Sequence, residues 1–196
     1  MENQVLDVIR NRRSVRAYRP EKLPRETLEA ILEAGRYAPS GGNNQTSHFL
    51  VLESPAVLEE LAHLVEREFC KMELREDLYS SLKSSIVQSK RGGYVFHYGA
   101  PALVVLANRK GYGNAMADCS VALENMMLAA ASLGVGSCWI NQLHWLDENP
   151  AVRQYLEALG LEENETVCGA VSLGMPGEDI RPPLPRKGNR VTFVGE

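Results

Sequence analysis

The chain has no paired-cysteine signature. Its four cysteines, Cys70, Cys119, Cys138 and Cys168, are widely spaced with no CxxC, which excludes a dithiol redox motif and a zinc site of ordinary spacing. His48, His63, His97 and His144 form no HExxH and no clustered ligand set, so no metal site is expected. No GxGxxG follows a strand-like run and no GxxxxGK[ST] occurs, so both nucleotide fingerprints are missing. The amino-terminal stretch MENQVLDVIRNRRSVRAY has neither an apolar run of leader length nor a small-residue cleavage pattern. Scattered thiols in a chain of this kind fit a reducing, cytoplasmic setting. Asn125–Leu146 lacks Asp, Glu, Lys and Arg and is long enough to cross a bilayer. Its glycines, asparagines, serine residues and glutamine would be costly in hydrocarbon, so it reads as a buried helix running into a loop or strand, and no membrane partner is expected.

What is present is ordinary for a soluble globular chain. Of 196 residues, 44% are apolar and 23% charged, and 21 Lys and Arg against 25 Asp and Glu leave a net charge of −4. One domain spanning residues 1–196 is expected, with no repeat and no low-complexity linker. A mildly acidic chain is a poor general partner for nucleic acid unless its cations are concentrated.

Hydrophobic periodicity predicts helices over Val5–Arg12, Pro24–Tyr37, from Pro55 onward, Asn114–Leu133 and Pro150–Leu159. Strands are predicted at His48–Leu52, Ala102–Ala107 and Thr166–Leu173, with a short strand-like run after Gly136. Glu66–Gly93 is charged, serine-rich and weakly patterned, and reads as an exposed helical excursion. Asn114–Leu133 is apolar nearly all round, as befits a core centre or an oligomer interface. Helices dominate and the strands do not alternate strictly with them, so the class is α+β, with a central mixed, mostly antiparallel sheet surrounded by helices.

Three motifs could carry chemistry. Arg10, Arg12, Arg13, Arg16 and Arg19 surround Ser14, and Arg181, Arg186, Lys187 and Arg190 form a second cluster. Most such runs are solvated faces, but guanidinium forks match phosphate oxygens, and Ser14 adds a hydroxyl and a backbone donor. Ala38-Pro39-Ser40-Gly41-Gly42-Asn43-Asn44-Gln45 has the composition of a turn. It also offers glycine backbone and the donor–acceptor side chains of Ser40, Asn43 and Gln45 to a heterocycle. Gly134 to Gln142 reads as a helix cap leading into a strand, or as backbone brought up to a flat ring. Cys138 has no base tied to it by spacing and reads as a small buried residue.

Taken in order, these segments resemble the nitroreductase family of FMN-dependent oxidoreductases. The resemblance rests on Arg12-Arg13-Ser14-Val15-Arg16, Ala38 to Gln45, Tyr98-Gly99-Ala100-Pro101, the helix around Asp118 and Glu124-Asn125, Gly134 to Trp139, Gly169 to Gly174, and Pro185-Arg186-Lys187. It implies a homodimer with FMN at the subunit interface and NAD(P)H as donor. Arg12, Arg13, Ser14 and Arg16 would hold the phosphate and ribityl end, with Arg186 and Lys187 closing on the phosphate. Pro39, Ser40, Gly41, Asn43 and Gln45 would reach the flavin from the other subunit. Ser137, Cys138, Trp139, Asn141 and Gln142 would lie along the ring, and Val191–Val194 would extend onto the partner's sheet. No side-chain nucleophile is implied, and flat acceptors such as nitroaromatics or quinones fit. Thr46-Ser47 stands where the family often has Pro-Trp, which alters the local wall. Dehalogenation or flavin breakdown on the same fold, or a dimeric regulator binding an anionic polymer, are the alternatives.

Overall fold

A computed structural model describes residues 3–195. Its framework is a four-stranded sheet of β1 (His48–Leu52), β2 (Ala102–Arg109), β3 (Gly136–Ile140) and β4 (Glu165–Gly174), in the order β1-β2-β4-β3. All three ladders are antiparallel. The parallel component is a single bridge between Ser14 and Ser137.

β2 shows why the sheet is central. Its residues alternate between two cores, as period-two side chains must when both faces are covered. Leu103, Val105 and Ala107 enter one core with α3 (Pro55–Lys71), α4 (Ser80–Arg91), α6 (Gln142–Trp145) and α7 (Pro150–Ala158). Ala102, Val104 and Leu106 enter the other with α2 (Arg25–Arg36) and α5 (Ala115–Ser132). A bulge opposite Leu106 and Ala107 re-registers β4, and there Gly169 leaves room for Leu123 and the Trp139 ring. α1 (Gln4–Asn11) is different. It is capped by the Asn3 side chain but buries none of its residues, so Val5, Leu6 and Ile9 are exposed.

Most predicted elements stand where expected, with shifts at their ends. Pro24 is the N-cap of α2 rather than a first-turn residue, and Ser54 caps α3 by position without a side-chain hydrogen bond. β2 continues to Arg109, and the run after β3 turns into the short α6. The larger correction concerns Glu66–Gly93, which is not simply an exposed excursion. α3 carries on to Lys71, and α4 packs back on it, burying Ser85, Ile86 and Ser89. Beyond Gly177 the chain is exposed and carries no regular element to Gly195.

Candidate functional site

Leaving α1 at Arg12, the backbone becomes extended and runs as a strap along the outer edge of β3. Val15 N–H donates to the Ser137 carbonyl at 2.9 Å, beside the Ser14–Ser137 bridge. Gly136 makes this approach possible, since a Cβ there would lie 2.9 Å from Val15 Cβ. Further on, Arg19 N–H donates to Met175 and Gly177 N–H to Ala17, at 2.9 and 2.8 Å. The Tyr18 hydroxyl donates to Val15 C=O at 2.7 Å and lies 2.9 Å from Ser172 Oγ. Burial pushes the Tyr18 phenol up, so it stays a neutral donor. The strap is therefore pinned along its length, and Ser14 and Arg16 face outward from a fixed backbone.

The arginines that look alike in sequence have separate partners. Arg12 Nε lies 3.6 Å from Glu124 Oε1 on α5. Arg13 turns back on α1 and donates to the carbonyls of Arg10, at 2.9 Å, and Arg12. These two contacts put the guanidinium in the place of a helix C-terminal cap, with its Nε buried and unpartnered among the described residues. Arg16 Nε donates to Tyr98 Oη at 3.3 Å, and its guanidinium carbon sits 5.7 Å from the Tyr98 ring centroid. Tyr98 holds φ at +59°, followed by Gly99 at +68°. A bulky residue in that region costs roughly 1–3 kcal/mol, met by its surroundings.

On β3, Ser137 and Cys138 are buried. Burial pushes the Cys138 thiol up; Arg16, a hydrogen bond with Ser14, and Arg12 pull it back only in part. Trp139 packs toward α5 and donates from Nε1 to Asn141 Oδ1 at 2.6 Å. Gln142 turns inward, donating to Tyr94 Oη at 2.7 Å and Ser85 Oγ at 3.3 Å. Its amide group ties α6 to α4, which leaves Asn141 as the polar side chain at the end of β3.

Pro39–Gln45 lies at a different corner. Gly41 N–H donates to both Asp118 carboxylate oxygens, at 3.1 and 3.3 Å, and Tyr112 Oη donates to Gly41 C=O and to Asp118. Ser40 Oγ accepts from Gln45 N–H at 3.0 Å, and Gln45 Nε2 donates to Asn43 Oδ1 at 3.1 Å. Asn43 and Gln45 are both left-handed, at φ +55° and +53°. A cavity of about 530 Å³ opens here, lined among others by Arg36, Pro39, Ser40, Asn43 and Gln45.

The two groups lie at opposite edges of the sheet. The strap follows β3, one sheet edge, near the end marked by Leu52, Leu103, Ser172 and Cys138 in register. The loop enters β1, the other edge, at its His48 end. That separation is three inter-strand steps, roughly 14 Å, and roughly 13 Å along the strands. Arg186 and Lys187 lie on the exposed segment past Gly177, and neither makes a hydrogen bond or ion pair among the described residues.

Tyr98 and Asp118 had no role assigned from the sequence. Asp118 left a trace, as one of two charges in an otherwise apolar helix. Tyr98 left less: its partner Arg16 is remote in sequence.

The Nitroreductase family description matches residues 9–175. A protein of Archaeoglobus fulgidus with the provisional name NADH dehydrogenase/NAD(P)H nitroreductase is 31% identical over 90% of this chain and 87% of its own. The crystal structure of a nitroreductase with bound FMN from Bacteroides fragilis superposes with a TM-score of 0.87 at 41% identity, over 99% of this chain and 100% of the other. A nitroreductase with bound FMN from Desulfitobacterium hafniense gives 0.85 at 28% identity, over the whole of both chains. With the family description matching residues 9–175 and likeness along nearly the full length of these relatives, the chain belongs to the nitroreductase family.

Proposed function

We propose that this protein is an FMN-dependent oxidoreductase that takes electrons from NAD(P)H and delivers them to flat acceptors such as nitroaromatics or quinones. The observation that carries the reading is the strap. Ser14 and Arg16 project from a backbone pinned to β3, with Arg12 beside them, on the chain that the family membership assigns to this chemistry. The donor set fits FMN: the Arg12 guanidinium and the Ser14 hydroxyl for a phosphate monoester and its ribityl chain, and the Arg16 guanidinium, near Cys138 on β3, for the ring end. Gly136 lets the backbone come close where a Cβ would not.

When bound, FMN supplies hydride acceptance from a nicotinamide and electron delivery to a second molecule in turn, which gives ping-pong turnover. The chain's own residues bind and orient. Arg12 and Ser14 would face the phosphate end. The backbone from Ser137 to Asn141 would lie along the ring, and the positive charge of Arg16 would favour negative charge there. No nucleophile is required, and the neutral Cys138 thiol fits that role of bystander.

The same reading makes the protein a homodimer. Pro39–Gln45 lies at the opposite sheet edge from its own strap, and in this reading a second copy brings its loop to the flavin. α1 leaves Val5, Leu6 and Ile9 in water, and α5 with its C-cap exposes Met116, Val121 and Leu133. Past Gly177, Val191, Phe193 and Val194 are exposed by 73, 86 and 95%. β1 has an unpaired edge, and those alternating apolar residues suit it. Apolar surface of this extent marks an association site.

NAD(P)H oxidation by FMN-loaded protein, against a panel of nitro, quinone and halogenated acceptors, tests the reaction. Failure to oxidise NAD(P)H with any of them refutes it. Arg12→Ala or Ser14→Ala should weaken FMN binding about ten- to hundredfold, equivalent to ~1.5–3 kcal/mol, without unfolding the chain. Unchanged dissociation constants remove the phosphate assignment. Sedimentation should show a dimer at low protein concentration, and a folded, flavin-loaded monomer would overturn the shared site.

A further inference from the structure

Tyr98 occupies the turn before β2 in a conformation that bulky residues avoid, and an unfavourable backbone persists where its surroundings over-determine it. What this turn delivers is one hydroxyl to one cation. The phenol oxygen accepts from Arg16 Nε at 3.3 Å, and the guanidinium carbon lies at that hydroxyl end of the ring, 5.7 Å from its centroid. A fork held at its Nε keeps its two terminal nitrogens pointed one way. Arg16 has no carboxylate partner among the described residues, whereas Arg12 is paired with Glu124. Its two terminal nitrogens make no hydrogen bond among those residues, so its charge is aimed but not neutralised. The strap carries it past Ser14 toward Cys138 on β3, alongside the stretch that would flank the ring.

We infer that Tyr98 is a positioning residue: by clamping Arg16, it sets how much more tightly the site holds a reduced, negatively charged flavin than the neutral oxidised one. The inference rests on the FMN reading above. Loss of the clamp leaves Arg16 in place but mobile, so binding of the neutral ring changes little. Binding of the negative ring weakens, because a wandering charge stabilises a fixed one less.

The test uses Tyr98→Phe, which keeps the ring and loses the phenol oxygen, with Arg16→Lys and the double variant. In the flavin-free protein, the Arg16 Nε–H should exchange faster with solvent in Tyr98→Phe than in the parent, by NMR. In the loaded protein, oxidised FMN should bind within about twofold of the parent, while the preference for the reduced form falls roughly three- to tenfold. At 29.6 mV per tenfold for two electrons, the midpoint potential drops by roughly 15–30 mV. Arg16→Lys should shift it in the same direction, and the double variant should add nothing beyond Arg16→Lys. An unchanged midpoint, an additive double variant or unaltered exchange overturns the clamp. If the parent binds no FMN, the functional reading falls with it. If the parent binds FMN and Tyr98→Phe leaves the midpoint alone, only the clamp falls.

Discussion

Gly136→Ala isolates the contact on which the site's geometry depends. The new Cβ would lie 2.9 Å from Val15 Cβ, 2.9 Å from Cγ1 and 3.0 Å from Cγ2. Carbon pairs prefer roughly 3.5–4.0 Å, so three contacts are each about 0.5–1 Å too short. Val15 is buried and its N–H is bonded to Ser137, so it cannot simply rotate away. Overpacking of this kind costs ~1–3 kcal/mol. Relief by moving the strap instead gives up the Val15–Ser137 hydrogen bond, worth ~0.5–1.5 kcal/mol. Denaturant unfolding should therefore show a loss of ~1–3 kcal/mol, a large share of a typical ~5–15 kcal/mol. A displaced strap also moves Ser14 and Arg16, so FMN affinity should fall about tenfold or more, ~1.4 kcal/mol. Adding Val15→Ala removes two of the three overlapping carbons and should recover part of both losses. Gly113→Ala is the control: open space surrounds that position and its φ is not left-handed, so stability should stay within ~0.5 kcal/mol. Parent-like unfolding and FMN binding in Gly136→Ala would refute the claim that close approach to β3 places the strap.

Two further predictions follow from titratable groups. Burial pushes the Cys138 thiol up, so it is protonated at neutral pH; Cys138→Ser should keep acceptor reduction within about tenfold, ~1.4 kcal/mol of barrier. Stopped-flow measurement of both half-reactions decides it, and loss of the oxidative half-reaction with FMN retained would put the thiol in the mechanism. His97 is 5% exposed, and burial pulls its imidazole below its usual value, neighbouring carbonyls offsetting this only in part. The unfolded chain therefore takes up the proton first. His97 leaves stability unchanged above about pH 6.5, where both states are neutral, and costs stability as pH drops from there toward the folded value, with a slope of at most ~1.4 kcal/mol per pH unit. Unfolding curves of the parent and of His97→Gln should diverge between pH 7 and 5, and parallel curves would refute the sign.

The parts of the fold legible in the sequence are those whose burial is carried by apolar side chains. β1 and β2 are short apolar runs, and α5 has so few charges that its central place is evident. The packing of Glu66–Gly93 is hard to read from the sequence because polar Glu68, Ser85 and Ser89 are buried beside apolar Phe69 and Ile86. Ser85 shares hydrogen bonds with Tyr94 and Gln142, Tyr94 N–H donates to Glu66, and Glu68 accepts from Lys71 and Asn149. Hydrophobic periodicity cannot register a face built this way. The same limit applies to Gln142, assigned to the ring by its adjacency to β3 but turned inward by the start of α6. Among the arginines, the pattern marks the cluster and not its members. Whether a guanidinium caps α1, as Arg13 does, or faces outward, as Arg16 does, depends on where the helix ends. Tyr98 depends on a contact across 82 positions of chain, which no local pattern encodes.

The eight-residue α1 links these observations to the assembly. A helix that short is not stable alone, and this one buries none of its own residues in the chain. Its apolar Val5, Leu6 and Ile9 are left without cover among the described residues. Yet Arg13 ties the end of α1 to the start of the strap through the carbonyls of Arg10 and Arg12. Whatever covers α1 therefore also steadies the backbone that presents Arg12, Ser14 and Arg16. If a second copy provides that cover, as proposed, its contribution to the site is twofold: the Pro39–Gln45 loop reaches the ligand directly, and the covering of α1 stiffens the strap that holds it. Ligand binding and dimerisation are then linked, each shifting the other by mass action, because both draw on one ordered strap.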